Sequence, residues 1–245
     1  MHARLIEVSA RPNSTITDVV AVLESDLALC AEILKLVNSA FFGLSGDVES
    51  VGRAVSLLGL DTIHALTLSE KVFGPGATTP KHLDVVQLRR TGLRAAGYAR
   101  TIATSEGWAP DIAGRAFLTA LLRDLGLLVL AANIAAFDQV RAVSTGDPWV
   151  RSRAEMDAFG CTVPEASAYL LGLWGFSELV VDAVACQPTR PDDTGATSVA
   201  QVVSFAHHRT QVSHVTADPG ADIWLDEARS QRWNDLCDGA AEMSG

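Results

Sequence analysis

Charged side chains set inside an apolar run are where this sequence could do chemistry, and the sharpest case is Arg123-Asp124. The pair interrupts Ala116 to Phe137, which is otherwise apolar apart from a few small or amide residues and Asp138 just beyond it. The plain reading is a local ion pair or charges at a helix end. The sharper reading is a guanidinium that holds a ligand's phosphate or a partner's carboxylate, which arginine can do with two parallel hydrogen bonds. A second group of cations, Arg89, Arg90, Arg94 and Arg100, forms a local basic stretch. His207, His208 and His214 invite a metal reading that their spacing opposes. Adjacent helical residues point about 100° apart, and His208 and His214 are not at i, i+3 or i, i+4. His64 stands among apolar residues and reads as a core or boundary histidine. No serine sits in a Gly-x-Ser-x-Gly elbow, and no Gly-x-x-x-x-Gly-Lys phosphate loop occurs. The cysteines Cys30, Cys161, Cys186 and Cys237 are scattered without a CxxC pair, as expected for thiols of a reducing compartment.

The elements that must position these groups read as helix after helix. Val19, Val20, Leu23, then Leu27, Ile33, Leu34 and Val37 fall at helical spacing, with Asp26 as N-cap between two helices. Asn38 and Ser39 close the second of these by bonding to backbone groups. Ser50 caps a helix over 51–58 that ends at Gly59, and Asp61 caps another over 62–73. Gly74-Pro75-Gly76-Ala77-Thr78-Thr79-Pro80 is a linker, with breakers at its first three residues and its last. A long helix is expected over 83–105, where Gly92, Ala95, Ala96, Gly97 and Ala99 allow close approach of a neighbour. Pro110 starts the next helix as an N1 proline. Thr162-Val163-Pro164-Glu165 is a capping box for a helix to about Trp174. Ser177 caps one more, ending near Pro188, and polar loops fall at 190–195 and 218–220. The last helix is expected over 223–243. The tryptophans Trp108, Trp149, Trp174, Trp224 and Trp233 are dispersed and read as packing residues, with Trp149 exposed. There is no β-alternation and no internal repeat, so the class is all-α.

The stretch Ile33-Leu34-Lys35-Leu36-Val37-Asn38-Ser39-Ala40-Phe41-Phe42-Gly43-Leu44, with Ala54-Val55-Ser56-Leu57-Leu58-Gly59 downstream, resembles the opening signature of the HDOD family. Leu121-Leu122-Arg123-Asp124-Leu125-Gly126 and Trp174-Gly175-Phe176-Ser177 fit later parts of that pattern, the last with Ser177 in place of proline. The resemblance runs from about Ile16 to the last helix. It implies a fold related to HD-type metal phosphohydrolases, whose ligands are a histidine, a His-Asp pair and further histidines. Neutral imidazole and carboxylate donors of that kind hold a divalent ion that activates water. Transferred position by position, the resemblance places Thr91, Arg123-Asp124, Val163 and Gln187 (within Cys186-Gln187-Pro188) where those ligands stand. Of these only Asp124 can ligate a hard metal, and Arg123 sets a permanent cation beside it. No metal and no cofactor is therefore expected.

The resemblance thus implies a non-catalytic output or adaptor module of bacterial signal transduction. Its fold is a two-lobed helical bundle with an HD-like C-terminal lobe. The lobes are placed at 1–74 and 82–245, joined by a linker at 75–81, and form one HDOD domain. The implied action is binding of a protein partner. Two other readings are carried: a nucleotide sensor with Arg123, Arg94 and Arg90 on the phosphates, and a phosphodiesterase using Asp124 with Asp157, Glu155 or His82. Little precedes the signature, so any receiver domain is expected outside this chain. The net charge of 19 − 29 = −10 argues against nucleic acid and favours a partner with a basic patch. No stretch reads as a signal peptide or a membrane span, and the expected location is the cytoplasm.

Overall fold

A computed structural model describes residues 8, 15–38, 47–73, 83–133, 137, 140, 148–174, 176–185, 198–211 and 225–242. Twelve helices have defined bounds and no described residue lies in a strand, as the all-α reading expects. They are α1 (Ile16–Glu24), α2 (Leu27–Val37), α3 (Val51–Leu58), α4 (Leu60–Phe73), α5 (Val85–Ser105) and α6 (Pro110–Leu122). Then follow α7 (Gly126–Asn133), α8 (Pro148–Phe159), α9 (Val163–Leu173), α10 (Glu178–Ala185), α11 (Val199–Gln211) and α12 (Glu227–Glu242). None is long and apolar enough to cross a membrane.

Local chemistry explains most boundaries. Asp26 accepts the Leu29 amide at the start of α2, and Ser50 accepts that of Arg53 at the start of α3. Pro110 opens α6 at a position where no amide is missed. Thr162 and Glu165 form the expected capping box on α9. Asn38 closes α2 through both backbone groups of Val48, accepting its N–H at 2.7 Å and donating to its C=O at 3.0 Å.

Two caps differ from expectation. Helix α4 starts at Leu60, so Asp61 lies in its first turn. The Asp61 carboxylate accepts the Ser177 hydroxyl at 2.9 Å instead of capping. That hydroxyl is in turn not a cap for α10, whose first turn is closed by the Ser177 carbonyl accepting Val180 and Val181. The last helix begins at Glu227, capped by Asp226. The breaker-rich stretch 74–80, the loops at 190–195 and 218–220, and Ser39 lie outside the described residues.

Helix α5 is the hub. It packs along α6 and also against α11, α12 and α4, while α6 meets α4, α10 and α11. The small residues of α5 are buried as expected; a Cβ on Gly92 would lie 3.4 Å from the Leu121 carbonyl of α6. Helix α9 packs on α7 and α10. One apolar core includes Leu23, Ile33 and Leu66 of the first four helices together with Ile102, Phe117 and Leu171 of the later ones. His64 stacks on Phe176 across this junction, ring centroids 4.4 Å apart. Trp233 is fully buried, edge-on to Phe205, with its indole N–H on Glu106 at 2.8 Å.

Among the described glycines the tightest surroundings are at Gly126, where a Cβ would fall 2.4 Å from the Val163 carbonyl and 2.8 Å from the Ala166 Cβ. Alanine favours helices by about 1 kcal/mol over glycine, yet Gly126→Ala is expected to cost about 1–3 kcal/mol through overpacking. Gly172→Ala, on the exposed side of α9 with nothing within 4 Å, is expected to gain up to about 1 kcal/mol. Urea denaturation of the two variants should therefore move the midpoint in opposite directions.

Candidate functional site

The apolar run breaks at Arg123-Asp124-Leu125, a turn between α6 and α7. The order of the charges suits it, because a cation is favoured at a helix C-terminus and a carboxylate before a helix N-terminus. Ser167 of α9, fully buried, ties the turn down. Its hydroxyl accepts the Gly126 amide at 2.7 Å. Its single proton lies toward the Arg123 carbonyl at 2.5 Å, with the Val163 carbonyl at 2.9 Å as the alternative acceptor. One side chain thus joins the end of α6, the start of α7 and the first turn of α9.

Around this knot lie the charged groups. The Arg123 guanidinium donates to the Ser204 hydroxyl of α11 at 3.4 Å. Burial lowers its pKa, with Asp124 and Glu155 favouring the cation and Arg151 opposing it; arginine remains charged at any ordinary pH. The Asp124 carboxylate faces His207 Nδ1 of α11 at 3.4 Å. Burial pushes the His207 imidazole down to about 4, against the pull of Asp124 and with the help of Arg123, Arg151 and His208. It is neutral at pH 7.

Glu155 of α8 is buried. Burial raises its carboxyl, while the Val163 amide, Arg151 and Arg123 act the other way. Its Oε2 accepts the Val163 N–H at 2.8 Å. The first turn of α9 is thereby fully accounted for. Val163 bonds Glu155, Pro164 has no N–H, Glu165 bonds the Thr162 hydroxyl, and Ala166 bonds the Thr162 carbonyl. No amide of that turn remains to receive an external anion.

The residues singled out by the sequence divide as follows. Arg123, Asp124 and Val163 come together at the knot. Thr91 turns its hydroxyl onto its own helix, donating toward the Gln87 and Leu88 carbonyls at 3.0 and 2.9 Å. Arg94 and Arg90 are exposed on α5, and Arg94 acts on Tyr98 one turn along; no contact among the described residues brings either to Arg123. Asp157 is exposed. Gln187, Cys186, His82 and His214 lie outside the described residues. The sequence reading missed His207 as the residue facing Asp124, and Ser167, Ser204 and Arg151 altogether. Glu155 was weighed only as a metal ligand. The one signal available for His207 was its place on α11 beside Val202, Val203 and Ala206, all fully buried.

A divalent ion of the HD type does not fit these groups. Glu155 spends an oxygen on a backbone amide, Val163 offers no side-chain donor, and the Arg123 cation stands beside Asp124. Among the described residues no three metal-binding side chains converge.

This all-helical arrangement recurs in solved structures. A candidate phosphohydrolase from Shewanella amazonensis SB2B matches with a TM-score of 0.66 at 20% identity, over 99% of this chain and 88% of that one. An HDOD domain protein of unknown function from Geobacter sulfurreducens matches with a TM-score of 0.59 at 19% identity, over 97% and 82%. At these identities the likeness is one of fold. The family profile of the HDOD domain matches residues 1–189, and the chain belongs to the HDOD family. An uncharacterized protein of Treponema pallidum (strain Nichols) is 26% identical over 192 residues, 75% of this chain. This chain spans about a third (36%) of that relative's length. Helices α11 and α12 lie beyond the family match, so Ser204 and His207 reach the turn from outside it.

His207 gives the site a pH signature. It titrates near 6.5 unfolded and about 4 folded, so between those values the unfolded chain binds more protons and stability falls as the pH falls. Glu155, whose folded carboxyl is raised, acts in the opposite direction and is present in the wild type and the variant alike. His207→Gln is expected to remove at most about 3 kcal/mol of the acid-induced loss, read as a flatter stability profile in urea between pH 7 and pH 4.

Proposed function

We propose that this chain is a non-catalytic signalling module of the HDOD family that works by binding a protein partner. The observation that carries the reading is the internal satisfaction of the α6–α7 turn. Arg123-Asp124 stand where the family resemblance implies a His-Asp pair, with the arginine turned to Ser204 and Asp124 facing a neutral His207. A hydrolytic HD site needs donors with lone pairs around an open coordination position. Here, among the described residues, Thr91 is spent on its own backbone, Arg123 on Ser204, and Asp124 faces His207.

The nucleotide reading has less behind it. Arg90 and Arg94 are exposed on α5 while Arg123 is engaged at the turn, so a shared phosphate clamp has no observed geometry. An adaptor needs only surface, and an all-α scaffold with an intact core supplies that without any cofactor.

The test is metal content of the tag-free protein, together with turnover of bis-p-nitrophenyl phosphate in Mn²⁺, Fe²⁺ and Mg²⁺. The expected result is no stoichiometric metal and no turnover. About one metal per chain, with turnover lost in Asp124→Ala, would replace this reading with a phosphodiesterase.

A further inference from the structure

The hairpin of α9 and α10 carries a surface that the turn at Arg123 does not use. Tyr169 and Leu173, at i and i+4 on α9, are 70% and 62% exposed, and Leu179 in the first turn of α10 is 61% exposed. Residues at that helical spacing share a face, and Leu173 and Leu179 both border the short connection between two packed helices. Large apolar residues left this open in neighbouring positions mark an interaction surface more often than isolated ones do.

The charges that the hairpin's own sequence places beside it are of one sign. Between Arg153 and Arg190 the sequence has no Lys, Arg or His. The exposed acids Glu165, one turn before Tyr169, Glu178, next to Leu179, and Asp182, three residues beyond it, flank the apolar side chains. A second copy of the chain would set these carboxylates against their own kind, and an anionic lipid surface would meet the same repulsion. A cationic partner gains from them.

We infer that the α9–α10 hairpin is the docking surface for a basic amphipathic helix. Its apolar residues would lie on Tyr169, Leu173 and Leu179, and its Lys or Arg side chains on Glu165, Glu178 and Asp182. This is recognition of an amphipathic helix by an exposed apolar face, in which apolar anchors provide affinity and rim charges provide selectivity and salt dependence. It rests on the proposed role as a binding module and names the chemistry of the partner.

The experiment uses the full chain and two fluorescent amphipathic peptides of about 18 residues, five turns, one of Leu and Lys and the other of Leu and Glu. Anisotropy titrations are run at low and high salt, beside sedimentation velocity and the phosphodiester assay. The Leu-Lys peptide is expected to bind, more weakly at high salt, and the Leu-Glu peptide not to bind. Tyr169→Ala with Leu173→Ala, and separately Asp182→Lys, should each weaken binding roughly tenfold or more. These residues are exposed, so circular dichroism and the melting temperature should stay near wild type. Binding that ignores the substitutions means that bulk charge alone attracts the peptide, and overturns the inference. So does absence of binding, and so does a dimer that the Tyr169/Leu173 variant dissolves, which assigns the surface to a second copy. Each of these without turnover leaves the non-catalytic reading standing, whereas turnover removes that reading by itself.

Discussion

The later half of this fold depends on how closely α9 can approach the start of α7. With no side chain at Gly126, the Val163 carbonyl sits where a Cβ would be, and the Ser167 hydroxyl reaches both the Gly126 amide and the Arg123 carbonyl. A buried amide left without an acceptor costs about 1–3 kcal/mol, so this one hydroxyl fixes where α6 ends and α7 begins. Where the turn sits decides where Arg123 and Asp124 point. It also brings Glu155 to the first amide of α9, because Gly160, at a φ of 72°, reverses the chain between α8 and that helix.

The charges gathered there make sense as a set. A cation placed between two carboxylates stabilises both, and a neutral imidazole can face Asp124 without adding to the positive charge of Arg123 and Arg151. The desolvation cost of such a cluster can equal its Coulombic gain. Its contribution is therefore one of geometry: α6, α8, α9 and α11 are held in a single arrangement by groups that each need the others. The holding is done by side chains that meet from different helices: Ser167 at the turn itself, Arg123 on Ser204, Glu155 on the Val163 amide and His207 facing Asp124.

Much of this was legible in the sequence where the signal was local. The Thr162–Glu165 box, Ser50, Asp26 and Pro110 act within four residues, and each behaves as its spacing predicts. The Arg123-Asp124 pair was visible as charge inside an apolar run. What was not legible depends on long-range placement. Asp61 has the right chemistry for a cap, but α4 starts one residue earlier, and the carboxylate meets Ser177 from 116 residues away. His207 lies far along the chain from Asp124, on a helix outside the family match, and no local pattern joins them. Arg94 and Arg123 look alike as phosphate contacts on paper; exposure separates them.

Beside the Ser167 hydroxyl, the Arg123 cation steadies the turn through its attraction to Asp124 and to Glu155 across from it. A double-mutant cycle of Arg123→Met and Glu155→Gln, followed by urea denaturation at pH 7, tests it most directly. Removing one of these two coupled, partly buried charges is expected to cost up to about 3–5 kcal/mol, unchanged by added Mn²⁺. The double variant should then recover at least about 1 kcal/mol relative to the sum of the singles. Additive effects within about 0.5 kcal/mol, or a Mn²⁺-dependent rise in the stability of the wild-type protein, would contradict it.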